Sequence, residues 1–186
     1  SLSLNDNTFS INEHTQILKE EYARYTSDPS KPNTAIEAKA AFQLIRFFLG
    51  DDPDTIVDDI ILILEASSGH LDLDIRPLCR AIQEFPIFEN TKRFSEMFER
   101  SVDIMSEQKR NIEAAKLLMN RGHKLKDEKP YEALIYFSRT LNKLYNEESK
   151  ELLTFVVLDM ADIFQSIGLY WAGRNFYYYD FILCLN

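Results

Sequence analysis

The chain has 186 residues, 45% of them hydrophobic and 27% charged, which suffices for one domain with a sizeable core or for several stacked repeats. Only 5 Gly and 6 Pro argue against an all-β chain with many tight turns, and a formal net charge of -9 argues against nucleic acid as a partner, because phosphates need basic neutralisation. The longest apolar runs, 60–64 and 181–185, fall far short of the roughly 20 residues that cross a bilayer, and Ser1-Leu2-Ser3-Leu4 has neither the basic start nor the apolar run of a signal peptide.

In chain order, residues 1–10 are polar and expected to be loose or a remnant of cloning. Residues 11–33 read as an N-terminal helix, with Ile17, Leu18, Tyr22 and Tyr25 on one side, and a breaker holding Pro29 and Pro32. Thr34 with Glu37 forms a capping box ahead of a helix whose apolar face carries Ala38, Ala41, Phe42, Ile45 and Phe48, and Gly50 stops it. Asp54 is the expected cap of the next helix, whose stripe is Ile56, Ile60, Ile63 and Leu64. Asp74 caps a helix with Pro77 in its first turn and Leu78, Cys79, Ile82 and Phe85 facing in, closed by Pro86. Thr91 opens another, with Phe94, Met97, Phe98, Ser101, Val102 and Met105 inward, before a charged hinge at 107–111. Ile112, Ala115, Leu118, Met119, Gly122 and Leu125 mark the following helix, and Pro130 starts one carrying Ala133, Leu134, Phe137, Leu141 and Leu144.

The last stretch, around 152–185, reads as a helical hairpin. Leu158, Ala161, Ile163 and Phe164 recur at helical spacing, Gly168 suits the left-handed position past a helix end, and Trp171, Ala172, Asn175, Phe176 and Tyr179 form a second stripe. Helices that begin near Ala35, Asp74, Asn111 and Lys150 recur at roughly 38 residues, within the range of helical repeats. Phe98, Ser101, Val102 and Met105 align at one constant offset with Phe137, Thr140, Leu141 and Leu144. The fold class is therefore all-α, a stack of four antiparallel hairpins (about 34–69, 74–106, 111–145 and 149–186) in one domain, with about nine helices in all. A single hairpin cannot bury its apolar face alone, and stacking supplies the core.

The C-terminal hairpin resembles the tetratricopeptide repeat. Ala161 and Gly173 match that family's two small positions, Phe164 its large residue, Gly168 its turn glycine, and Tyr170 and Tyr177 its aromatic and large positions in the second helix, while Asp180 departs where a small residue is the rule. In the preceding hairpin Gly122, Leu125, Ala133, Phe137 and Thr140 fit, with one residue fewer between Gly122 and Ala133. The resemblance implies a right-handed α-solenoid that holds a peptide or partner helix on the groove lined by first-helix side chains. By family spacing those are Lys116, Met119, His123 and Lys126, then Phe155, Leu158, Asp162, Gln165 and Ser166. The first set lacks the Lys/Asn arrangement of carboxylate-clamping members.

No catalytic, cofactor or metal constellation is expected. His14, His70 and His123 stand on separate elements, and Asp51, Asp52, Asp54, Asp58 and Asp59 lack the loop pattern of a calcium site and suit a helix start instead. His70, Asp72 and Asp74 form a compact polar loop, and Lys116, Arg121, Lys124, Lys126 and Lys129 a basic cluster best read as a solvated face. Cys79 and Cys184, each within an apolar helical pattern, read as buried free thiols of a cytoplasmic protein. Arg76 and Arg80 near Cys79 could lower its pKa, but its place on the apolar stripe favours a structural thiol. The reading is thus a protein-interaction scaffold rather than an enzyme, its partner a protein or peptide, without nucleic acid or membrane. The alternatives are a regulatory or ligand-sensing domain of a larger protein and an all-α enzyme. The helix between Phe176 and Leu185, aromatic and apolar nearly all round, lacks the polar outer face of a terminal solenoid helix and is a candidate for self-association.

Overall fold

In a computed structural model the described residues are 16, 20, 23, 39–43, 45–46, 50–71, 73–84, 86–145 and 149–185. Among them the chain is all-helical, with no strand. The delimited helices are α1 (Pro53–Ser67), α2 (Arg76–Glu84), α3 (Pro86–Glu89), α4 (Phe94–Glu107), α5 (Asn111–Leu125), α6 (Pro130–Leu144), α7 (Lys150–Ser166) and α8 (Tyr170–Leu185). A further helical stretch covers 39–43 and 45–46. The expected N-terminal helix and its linker lie largely outside the described residues, although Gln16, Glu20 and Ala23 are helical. The chain forms two compact units, Ser1–Arg100 and Ser101–Asn186.

In the first unit, α1 is built from branched aliphatic side chains, and Ile56, Val57, Ile60, Ile61, Ile63 and Leu64 are all buried. Its cap is Asp52 rather than Asp54: the Asp52 carboxylate accepts from the Thr55 backbone N–H at 3.3 Å, and Pro53 takes the first helical position, where its missing N–H has no consequence. Asp54, inside the first turn, accepts instead from the backbone N–H of Lys92 at 3.0 Å. Pro86 lies just past the end of α2 at Glu84, as expected, and opens α3, which contacts α1 and buries Phe88 completely. One other expected boundary shifts. Thr91 does not cap α4: its hydroxyl donates to the Phe88 carbonyl at 2.6 Å, and α4 starts at Phe94. At the expected charged hinge α4 ends at Glu107 and a tight turn follows. There Lys109 takes a left-handed φ of 58°, with Lys109 N–H on the Ser106 carbonyl and Arg110 N–H on that of Met105.

In the second unit, α5 packs along α6 and α7 along α8, α6 meets α7, and α5 also touches α7. Leu125, Ala133, Phe137, Val156, Met160 and Ile163 form its core. Two glycines mark close approaches. A Cβ on Gly122 would lie 3.0 Å from the Phe137 ring, and one on Gly173 would lie 3.0 Å from the Ala161 carbonyl oxygen and 2.9 Å from Gln165 Cγ. The α7–α8 turn closes as expected at Gly168, whose φ is +83°. Gly168 N–H bonds the Gln165 carbonyl at 3.0 Å and Leu169 N–H that of Phe164 at 2.8 Å, the paired bonds of a glycine-terminated helix.

The Gly173 contact sets the rotation of α8 and corrects its expected stripe. Phe176 stacks at 5.2 Å on Phe164, and Tyr177 donates its hydroxyl to Asp162, so the inward face runs through Gly173, Phe176 and Tyr177. Trp171, Asn175 and Tyr179, expected on the apolar stripe, are exposed. Cys184 is exposed too, against the expectation of a buried thiol, while Cys79 is buried; both are free.

Candidate functional site

The acidic cluster at the start of α1 is the first place to test for chemistry, and its carboxylates all have structural partners. Arg46 donates to Asp51 at 2.7 Å and to Asp59, and its Nη1 also reaches Gln43 at 2.8 Å. These carboxylates raise the Arg46 pKa, Asp51 foremost. Arg93 donates to Asp58 at 2.7 Å and grips Glu96 with two bonds of 2.7 and 2.8 Å, which holds the Glu96 carboxyl below its usual range. Asp52 caps and Asp54 holds the Lys92 backbone. Asp74 likewise binds Arg76 through its backbone N–H at 3.1 Å and its guanidinium at 2.8 Å. His14 and Asp72 lie outside the described residues. Among the described residues no three His, Cys, Asp or Glu side chains gather to hold a metal.

The second unit offers a different arrangement. Met119, Asn120 and His123 on α5 and Phe155, Leu158 and Asp159 on α7 line one surface depression of about 440 Å³. The helical period explains the gathering: 119, 120 and 123 share one face of α5, and 155, 158 and 159 one face of α7. Asp159, mostly buried, joins the two helices. Its Oδ1 accepts from Lys126 Nζ at 2.9 Å, and its Oδ2 lies 3.1 Å from His123 Nδ1. Lys126 follows the last residue of α5, where a cation suits the negative end of the helix dipole.

Of the residues expected to line a groove, Met119, His123, Phe155 and Leu158 therefore share the depression, with Lys126 bound to its rim. Lys116 is exposed one helical turn before Met119. Asp162, Gln165 and Ser166 are engaged within the α7–α8 hairpin: Asp162 accepts from Tyr177, Gln165 lies against Gly173, and the Ser166 hydroxyl donates to the Ile163 carbonyl at 2.8 Å. Sequence reasoning missed Asn120 and Asp159. Their signal was present, since each neighbours a named residue on the same helical face, but repeat spacing steps over both.

Chemically, the depression offers apolar contact from Met119, Phe155 and Leu158 beside the Asn120 amide, the His123 ring and a carboxylate neutralised by Lys126. Among the described residues no hydroxyl or thiol lines it. A second depression, of about 540 Å³, is lined by Leu141, Leu144, Tyr145, Leu153, Phe176 and Tyr179 with the amide of Asn175. At 3.6 residues per turn Leu153 points to the side of α7 away from Phe155, Leu158 and Asp159. Among the described residues no charged side chain lines this second site. Among the described residues no helix is long and apolar enough to cross a membrane. No protein-family model, curated protein or solved structure matches this chain.

Proposed function

We propose that the chain is a protein-interaction scaffold in which α5–α8 form two tetratricopeptide-like hairpins, and that a peptide or partner helix lies across α5 and α7. The observation carrying this reading is the shared depression of Met119, Asn120, His123, Phe155, Leu158 and Asp159, in which exposed Phe155 and half-buried Met119 and Leu158 sit beside polar groups, Asp159 among them held by Lys126. Such a mixture of apolar anchors and few oriented polar groups suits recognition of a side chain by contact and of a backbone by hydrogen bonding. The repeat supports the solenoid reading. Phe98, Phe137 and Phe176 recur at a constant 39 residues, as do Gly122 and Ala161, each of the last two at a close helix approach. The free thiols, one of them exposed, fit the cytoplasm.

The test is selection of displayed peptides against the folded chain. A shared motif that loses binding on Phe155→Glu or Asp159→Arg supports the groove; Phe155 is half exposed, so its replacement leaves the core intact. No enrichment from a folded bait, or enrichment indifferent to both changes, overturns it. A second reading, a sensor of a small apolar ligand, is favoured by the apolar depression at Leu141, Leu144 and Phe176, whose size falls within the roughly 300–1,000 Å³ of ligand clefts. Protection of Tyr179 from chemical modification by a bound aromatic compound would single it out.

A further inference from the structure

The outward face of α8 carries a row of exposed apolar side chains outside the groove. At 3.6 residues per turn Tyr170, Trp171, Arg174, Tyr178, Phe181 and Ile182 fall within about 120° of arc, opposite Phe176, which packs on Phe164 of α7. Tyr170 is 71% exposed, Trp171 78%, Tyr178 67% and Phe181 58%. With aromatic side chains of about 150–250 Å² each, and the part of Ile182 left uncovered, this arc presents roughly 600 Å². Monomers rarely expose a contiguous apolar patch above a few hundred Å². The area approaches the roughly 800 Å² per partner of a standard specific interface.

Charge selects the occupant. The chain carries a net -9, yet residues 163–186 hold one Arg, Arg174, and one Asp, Asp180. Two copies can therefore meet along this helix without bringing many like charges together. The arc is also self-complementary. In an antiparallel two-fold pairing with its axis at Tyr178, each Tyr178 meets its own counterpart, and each Arg174 comes beside Phe181 and Ile182 of the second copy. There its guanidinium can lie over a ring face while its stem covers apolar surface. We infer that α8 is a homodimer interface, formed by isologous antiparallel pairing of two copies of this chain through Arg174, Tyr178, Phe181 and Ile182, with Tyr170 and Trp171 at the ends of the contact.

Trp171 is the single tryptophan of the chain, so its emission reports this face alone. Sedimentation of the full chain over a dilution series is expected to show dimers that dissociate in the micromolar range, with Trp171 emission moving from blue to red on dilution. Tyr178→Asp sets two carboxylates against each other at the axis and is expected to give monomers at every concentration, as is Phe181→Asp. Ile135→Asp, equally exposed but on α6, is expected to leave the dimer intact. Circular dichroism verifies that each variant is folded. A wild-type monomer with red emission throughout, a dimer that survives Tyr178→Asp, or assembly that grows beyond two copies each overturns the proposal. None of these outcomes touches the α5–α7 groove, which peptide selection tests separately.

Discussion

Helices α1 and α8 are both rich in apolar residues, yet they meet opposite fates. In α1 six aliphatic residues, all but one β-branched, from Ile56 to Leu64 are buried, and the acids at its start are held by Arg46, Arg93 and the Lys92 backbone. In α8, among residues with described side chains, only Gly173 is buried, and the aromatics that follow it stand half or fully exposed. Compact branched side chains fill a core without leaving polar atoms behind, whereas Tyr and Trp carry a polar tip that tolerates water. An apolar helix is thus committed to the interior in one case and to a surface in the other.

Substitution breaks that comparison most sharply. Ile60→Ala in α1 is expected to destabilise the fold by about 2–5 kcal/mol, because a fully buried aliphatic side chain leaves a cavity. Trp171→Ala, a larger truncation, is expected to move the stability of the dilute monomer by less than about 0.5 kcal/mol. Urea unfolding of both variants at low concentration checks the contrast, and equal losses would mean that α8 is buried. Smaller is the effect of crowding α8. Gly173→Ala is expected to cost about 1–3 kcal/mol, since the new methyl meets the Ala161 backbone, which cannot step aside. Gly122→Ala meets only the Phe137 ring, and helix propensity returns roughly 1 kcal/mol, so its net change is expected to be much the smaller.

Lys109→Gly is expected to raise stability by about 0.5–1 kcal/mol, because a side chain held at φ 58° carries a left-handed penalty that glycine lacks; thermal unfolding reads it. The smallest effect concerns pH. Arg93 lowers the Glu96 pKa in the folded chain below its ordinary 4.5. Its contribution is therefore present above that value and is lost as pH falls through the folded pKa. Glu96→Gln is expected to flatten, slightly, the acid limb of a melting-temperature profile. An unchanged limb would show that the exposed pair contributes nothing.

Much of the site was legible in the chain. Met119, His123, Phe155 and Leu158 were named by the resemblance to the tetratricopeptide repeat, and helical period puts those of each helix on one face. Asp159 was not legible as a bridge, since its partners His123 and Lys126 lie more than 30 positions away and only packing of α5 against α7 joins them. The cap at Asp52 was mistaken for Asp54 because several adjacent acids are equivalent as local signals. The Lys92 backbone, 38 residues away, claims Asp54.

The sequence by itself determined the helices, the turn at Gly168, the aliphatic stripe of α1 and the small residues at the hairpin contacts, because each rests on dihedral preference or on period within a few neighbours. Only the tertiary structure decided which side of α8 faces inward and which carboxylates become structural. Helix rotation answers to the closest backbone approach, here Gly173 on Ala161, and a charge takes whichever partner the packed chain brings within reach.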